Sequence, residues 1–278
     1  MTELAIVIVS YNTREELEAC LTALHDHPPA RAHRIVVVDN DSADGSAATV
    51  RTRWPAVTVI DAGANLGFAR ATNLGIRATR SRLVLLLNSD AVAPPGAIDR
   101  LVEELDRRGA AVAGPRLVDG DGRLEVSFGP MISPWGELWQ RALVTAHRRG
   151  VWPLAGLVER RARRSRPVAW VSGACLLVAR EVADAVGLLD ERYFLYTEDV
   201  DFCAAVRAAG RQVWFIAPVE VRHRRGRSRR HAPAAAEHAY RRSQIAFYRK
   251  HHPALVPLLR LYLRIRGRLP PQDVRGAT

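Results

Sequence analysis

The chain has 278 residues, with 41 Lys and Arg against 29 Asp and Glu and a formal net charge of +12. That length buries a full core as one large domain or two fused lobes, and no apolar stretch approaches the roughly 20 residues that cross a bilayer. Cys20, Cys175 and Cys203 lack Cys-x-x-Cys or Cys/His spacing, which argues against a zinc site or a disulfide framework and makes them buried thiols.

In chain order, residues 4–9 form an apolar run ended by Ser10-Tyr11-Asn12, and residues 14–24 carry Leu17, Leu21 and Leu24 at helical spacing. Residues 34–38 read as a second buried strand that delivers Asp39, Asn40, Asp41 and Ser42 to its carboxyl end. Residues 57–60 form a third strand, residues 65–75 enter another helix, and residues 81–87 form a fourth strand ended by Asn88-Ser89-Asp90. Four strand–helix alternations are the pattern of a doubly wound parallel sheet, whose ligand sites lie beyond the carboxyl ends of its strands. The turn after the first strand lacks Gly-x-Gly-x-x-Gly, so the backbone cannot cradle a pyrophosphate there in the dinucleotide-fold manner. Asp90 sharing a Mg2+ or Mn2+ ion with a diphosphate, helped by the guanidinium fork of Arg70, is the simplest substitute. The alternative makes Asp90 a cap on the turn before Pro94 and Pro95 open the next helix.

In the second half, residues 131–167 interleave Trp135, Leu138, Trp139 and Trp152 with eight arginines. Such a segment suits a membrane surface, a helical insert packed on the main domain, or a dimer contact. Residues 170–179 begin as a loop and continue as an apolar strand, with Trp170 able to stack on a ligand or to fill the core. Thr197-Glu198-Asp199-Val200-Asp201 opens a helix-like run that Thr197 caps, with Asp201 serving the helix terminus. Three carboxylates in four residues exceed what one terminus requires, and an ionised carboxylate of ordinary pKa there is fit to act as a general base. A strand-like run over residues 213–216 precedes His223, which stands in an arginine run and reads there as a surface residue. The arginine-rich 222–230 segment reads as a loop that closes over the diphosphate or as solvated surface. Residues 255–262 make a short docking helix before a frayed end.

Together these stretches resemble inverting glycosyltransferases of family 2, and most closely their bacterial rhamnosyltransferase-like branch. The resemblance is carried by Val9-Ser10-Tyr11-Asn12, Val38-Asp39-Asn40-Asp41-Ser42, Asn65-Leu66-Gly67-Phe68-Ala69-Arg70, Leu87-Asn88-Ser89-Asp90, Gly173-Ala174-Cys175-Leu176-Leu177, Gly187-Leu188-Leu189-Asp190-Glu191 and Thr197-Glu198-Asp199-Val200-Asp201-Phe202. It implies a GT-A fold, an α/β Rossmann-like architecture with a mixed central sheet. It further implies that Asp39 reads the N3–H edge of uracil or thymine beside Ser10, Tyr11 and Asn12. Asn65, Gly67, Arg70, Asn88, Ser89, Asp90, Trp170, Gly173 and Ala174 would line the donor site, Asp90 and His223 would bind the metal, and Asp199 would be the base with Glu198 beside it. The family's metal motif usually begins with Asp, whereas Asn88 stands there and removes one negative charge.

The implied donor is dTDP-L-rhamnose, with a UDP-sugar as the alternative, and the implied acceptor is a glycan or a polyprenyl-diphosphate-linked glycan. The implied division is 1–120 as the nucleotide-sugar half, 121–250 as the acceptor half with the 131–167 insert, and 251–278 as a basic C-terminal helix or tail. The start of the chain has no secretory-signal pattern, so the expected location is the cytoplasm, with peripheral contact at the inner face of the membrane and a homodimer both open. A nucleotidyltransferase would carry a glycine-rich basic loop after the first strand, and Ser10-Tyr11-Asn12-Thr13 supplies none. The basic excess raises nucleic acid as a partner, yet Lys250 is the only lysine in the chain, so the bias reads as arginine-rich composition and no nucleic acid is expected.

Overall fold

Four parallel strands with helical crossovers organise the first half of the chain. The structure, a computed structural model, describes residues 2–224 and 233–271. β1 (Thr2–Ser10), α1 (Arg14–Asp26), β2 (His33–Asp39), α2 (Ser46–Arg53), β3 (Thr58–Asp61), α3 (Phe68–Arg77) and β4 (Ser81–Asn88) follow one another in the expected alternation. β2 pairs with β1 and β3, and β4 pairs with the opposite edge of β1, all in parallel. The sheet therefore runs β3-β2-β1-β4 and changes direction between β1 and β4, the place where open α/β sheets leave a crevice for ligands. Leu4 to Ile8 and Leu83 to Leu87 are almost wholly buried, because strands covered by helices on both faces need apolar residues without alternation. Helix α3 lies so close to β1 that a Cβ on Gly75 would sit 2.4 Å from Val7 Cγ1.

After β5 (Ala91–Val92) and α4 (Ala97–Arg108), β6 (Val112–Val118) is followed by the two-residue strands β7 (Leu124–Glu125) and β8 (Phe128–Gly129). Then come α5 (Pro134–Arg148), α6 (Leu154–Ala162), β9 (Arg166–Pro167), β10 (Trp170–Val171), β11 (Cys175–Ala179) and α7 (Arg180–Ala185). β11 inserts antiparallel between β4 and β6. With α8 (Glu198–Ala208) between them, β12 (Val213–His223) returns parallel to β6. The sheet is thus mixed, and its parallel character is confined to the β3-β2-β1-β4 half and the β6–β12 pair. The two halves of the chain share this one sheet.

Residues 131–167 form the α5–α6 hairpin, packed through Leu143 and Val158 on the core that also holds Phe128 and Val171. Helices α9 (Pro233–His251) and α10 (Val256–Ile265), joined by a single 3-10 turn, close the described chain. Their inner faces form a separate cluster with Tyr193, Val200 and Leu259. Among the described residues no helix is long and apolar enough to cross a membrane. Most of the 222–230 loop lies outside the described residues, as does the end of the tail.

Candidate active site

The carboxyl ends of three adjacent strands lie in register. Ser10 on β1 is opposite Asp39 on β2, and Val9 is opposite Asn88 on β4. The Ser10, Thr13 and Ser89 hydroxyls form a buried chain, with contacts of 3.1 and 2.9 Å. Asp39 accepts from the Ser42 amide through Oδ2 at 3.0 Å, while its buried Oδ1 has no hydrogen-bond partner. A buried acceptor left open at a strand end is poised for a donor from a ligand. Asn12 holds a left-handed φ of 52° and accepts from the Ala43 amide, while Tyr11 stands exposed beside it.

Asn40, which sequence reading left out of the candidate set, organises the other wall. Its amide group donates to Asn65 Oδ1 at 3.0 Å and its carbonyl accepts from the Leu66 amide at 2.9 Å. These bonds set the entry to α3 at Gly67, whose φ is 81°. A Cβ there would lie 2.4 Å from the Phe194 carbonyl oxygen, which also accepts from the Phe68 amide. The start of α3 is thereby fastened to the loop that precedes α8. Arg70, one turn along, is exposed and sits 3.7 Å from Glu191, so its partner in the structure is this carboxylate.

Asp90 Oδ1 lies 3.1 Å from His223 Nε2 at the end of β12, and His223 Nδ1 contacts Glu125 Oε2 at 3.0 Å. His223 is buried, which rules out its reading as a surface residue. Burial lowers its pKa, but the hydrogen bonds to Asp90 and Glu125 outweigh that and raise it to about 9. Asn88 Nδ2 is 3.4 Å from the same Nε2, and Asn88 Oδ1 is buried without a hydrogen-bond partner. Among the described residues no three His, Cys, Asp or Glu side chains form a metal cage. The donor set nonetheless fits a hard divalent ion that takes few protein ligands and completes its shell with substrate oxygens. Glu125 on Nδ1 leaves Nε2 directed at Asp90, the second-shell arrangement by which a carboxylate orients a metal-binding imidazole. Nothing in Arg123-Leu124-Glu125-Val126 signals this role, because it depends on pairing with a histidine 98 positions away.

Asp199 reaches the same region through one turn of backbone. The Gly173 amide donates to Asp199 Oδ2 at 2.9 Å, and the next residue, Ala174, accepts from the Asn88 amide at 3.0 Å. Two consecutive peptides thus connect the end of β4 with the first turn of α8. The neighbouring acid behaves differently. Glu198 is buried, and desolvation, reinforced by the Asp199 charge, holds its pKa well above the usual carboxylate range. Thr197 occupies the N-cap position with φ 77°, preceded by Tyr196 at 66°. Its hydroxyl makes no cap bond and is buried without a hydrogen-bond partner, so the expected side-chain cap is corrected: the residue enters the helix through a left-handed turn rather than the extended backbone of a side-chain cap. Consecutive left-handed residues outside glycine mark stored backbone strain of the kind that clusters at functional sites.

Asp201 faces away from this centre. It is 2% exposed and receives Tyr193 Oη at 3.1 Å, Lys250 Nζ at 2.7 Å and His251 Nε2 at 2.6 Å. It thus ties α9 to α8. Trp170 donates its indole N–H to the Pro130 carbonyl at 2.8 Å and packs against two apolar clusters, the packing alternative for that residue. Cys20, Cys175 and Cys203 are buried and reduced.

The pattern of Glycosyl transferase family 2 matches residues 5–187. An N-acetylglucosaminyl-diphospho-decaprenol L-rhamnosyltransferase of Mycobacterium tuberculosis is 33% identical over 269 residues, spanning 90% of this chain and 85% of that protein. Among solved structures, a mannosyltransferase of Pyrobaculum calidifontis in complex with GDP-Man and Mn2+ superposes with a TM-score of 0.63 at 16% identity, covering 93% of this chain and 68% of that one. GalNAc-T7 with UDP, GalNAc and Mn2+ gives 0.60 at 15% identity, covering 81% of this chain and 43% of that longer one. These two share the fold. The chain belongs to glycosyltransferase family 2, enzymes that move a sugar from a nucleotide-sugar donor to an acceptor.

Proposed function

We propose that this chain is an inverting rhamnosyltransferase that moves L-rhamnose from dTDP-L-rhamnose to a hydroxyl of a polyprenyl-diphosphate-linked glycan. The observation that carries the reading is the Gly173-Ala174 bridge, which seats the Asp199 carboxylate beside the carboxyl end of β4. Asp199 accepts the proton of the acceptor hydroxyl as its oxygen attacks the anomeric carbon from the face opposite the nucleotide. The bond from that carbon to the diphosphate oxygen breaks with both electrons leaving on the diphosphate. One displacement with no enzyme nucleophile inverts the anomeric configuration, unlike the covalent route of a retaining glycosidase.

Asp39 offers its open Oδ1 to the N3–H that thymine and uracil share, and Tyr11 stands exposed where the nucleoside would lie. Asp90 and His223 Nε2 would hold Mg2+ or Mn2+, with Glu125 fixing the imidazole. When bound, such an ion supplies positive charge to the departing diphosphate. Burial pushes the Glu198 carboxyl well above the usual carboxylate range, so the base role is assigned to Asp199 rather than to Glu198. The mycobacterial relative supports the choice of rhamnose and of a polyprenyl-linked acceptor.

The test is transfer across a panel of dTDP-, UDP- and GDP-sugars with a decaprenyl-diphosphate-linked acceptor. Turnover with dTDP-L-rhamnose above all others supports the reading. Preference for a GDP-sugar overturns the base assignment to Asp39, and preference for a UDP-sugar overturns the sugar assignment alone.

A further inference from the structure

The large apolar side chains exposed on this molecule are concentrated in one region. Apart from Tyr11 and Phe194 beside the candidate site, all of them among the described residues lie on the α5–α6 hairpin and on α10. Helix α5 buries Leu143 and Ala146 in its second half and leaves Trp135, Leu138 and Trp139 in its first half exposed, with Trp135 82% exposed. Residues 135, 138, 139 and 142 share one helical face, so this is a continuous stripe. Helix α10 buries Leu259 and Leu263 on one side and leaves Leu258, Leu261, Tyr262 and Ile265 exposed on another. In α5 one apolar side is covered by the fold toward the carboxyl end and open toward the start.

The two helices are neighbours. Arg141 on the flank of α5 reaches Tyr262 Oη on α10 at 3.5 Å, Gln244 of α9 donates to Glu137 of α5 at 2.7 Å, and His252 contacts the Ile132 carbonyl at 2.8 Å. Val151 and Trp152, the latter 85% exposed, extend the apolar surface at the hairpin bend.

Its surroundings are basic. Arg148 and Arg149 close α5, and Arg260, Arg264, Arg266 and Arg268 line α10 and its end, while residues 252–271 contain no acid. The acids of the hairpin, Glu137 and Glu159, are both engaged, Glu137 by Arg141 and Gln244, Glu159 by Arg116 and His147. An apolar stripe with tryptophans, rimmed by arginines, complements an anionic lipid surface: rings and leucines enter the interface and the guanidinium groups meet the headgroups. A second copy fits poorly, because a two-fold contact through this face would press like charges together.

We propose that the exposed apolar residues of α5 and α10 form one docking surface for an anionic phospholipid bilayer, on which the protein sits peripherally. The inference uses no assumption about donor or acceptor, so it stands or falls separately from the reaction assigned above.

The experiment is co-sedimentation of the full chain, without nucleotide, with vesicles of phosphatidylcholine alone and of phosphatidylcholine with phosphatidylglycerol. The wild type is expected to pellet with the anionic vesicles and to be left in solution by the neutral ones. The triple variant W135S/W152S/L258S, whose changes are all at exposed positions, is expected to melt at the wild-type temperature and to lose at least about tenfold in vesicle affinity. Absence of wild-type binding to anionic vesicles overturns the proposal, as does undiminished binding by the variant. A dimer in sedimentation velocity that the same substitutions dissolve assigns the surface to a second copy and also overturns it.

Discussion

The Gly173 amide donates a 2.9 Å hydrogen bond to Asp199 Oδ2, and this contact couples the strand that borders β4 to the first turn of α8. Asp199 Oδ1 meanwhile accepts from the Val200 amide at 2.8 Å. Backbone donors hold the carboxylate by both oxygens at the edge of the site, which orients it before a substrate arrives. Removing its charge, as in D199N, is expected to lower kcat by about 10²- to 10⁴-fold with little change in donor affinity, and to cost about 1–3 kcal/mol of stability because Nδ2 cannot accept from one of the two amides. Steady-state kinetics with equilibrium binding of the nucleotide sugar measures the first two effects.

Glu198 makes the stability of the fold depend on pH. Its folded pKa is raised, chiefly by burial, so its contribution to stability is complete below its unfolded value and is lost as pH rises through the folded value. E198Q removes that titration. Urea melts should show wild-type stability falling relative to E198Q as pH rises above the ordinary carboxylate range, while E198Q keeps turnover that D199N loses.

Gly67 carries two independent demands, a φ of 81° and a Cβ position 2.4 Å from the Phe194 carbonyl oxygen. G67A should therefore cost about 1–3 kcal/mol from backbone strain alone. It should also loosen the Phe68–Phe194 bond that joins α3 to the loop before α8. Denaturant midpoints read the first effect, and a raised KM for the nucleotide sugar reads the second.

Asp201 is the buried anchor of α9. D201A leaves Tyr193 Oη without its acceptor, removes the carboxylate that His251 contacts, and leaves Lys250 with Asp190 alone. A loss of about 1–3 kcal/mol is expected, as for a buried donor left without its partner. Because Lys250 is partly exposed and can turn to water, K250A should cost less than D201A. Hydrogen exchange should quicken in α9 before it does in the central sheet.

Glu125 supports His223 from behind. E125Q should weaken Mn2+ affinity about 10- to 100-fold, the usual effect of removing an outer-shell partner from a metal-binding histidine. Titration of Mn2+ in the presence of dTDP checks this by magnetic resonance or calorimetry.

The parallel half of the sheet was legible because β1, β2 and β4 are continuous apolar runs whose ends carry the polar residues, so period and position agreed. The short strands β7 to β10 were not, since two-residue ladders leave no periodic trace. The site divided along the same line. Asp39, Asn88 and Asp90 follow strands and announced themselves, whereas Glu125 and the Gly173–Asp199 bond arise only from long-range pairing. Thr197 shows the opposite error: a good capping residue in the right place, overridden by a left-handed turn that the Phe194 and Ser243 contacts impose on the loop.

The most direct test of the central claim is dTDP-L-rhamnose turnover by the wild type and D199N, with Mn2+ present, and the anomeric configuration of the product read by NMR. Inverted product from the wild type, full donor binding by D199N and collapse of its turnover are the predicted results. Retained configuration, or D199N turning over at the wild-type rate, would contradict the account.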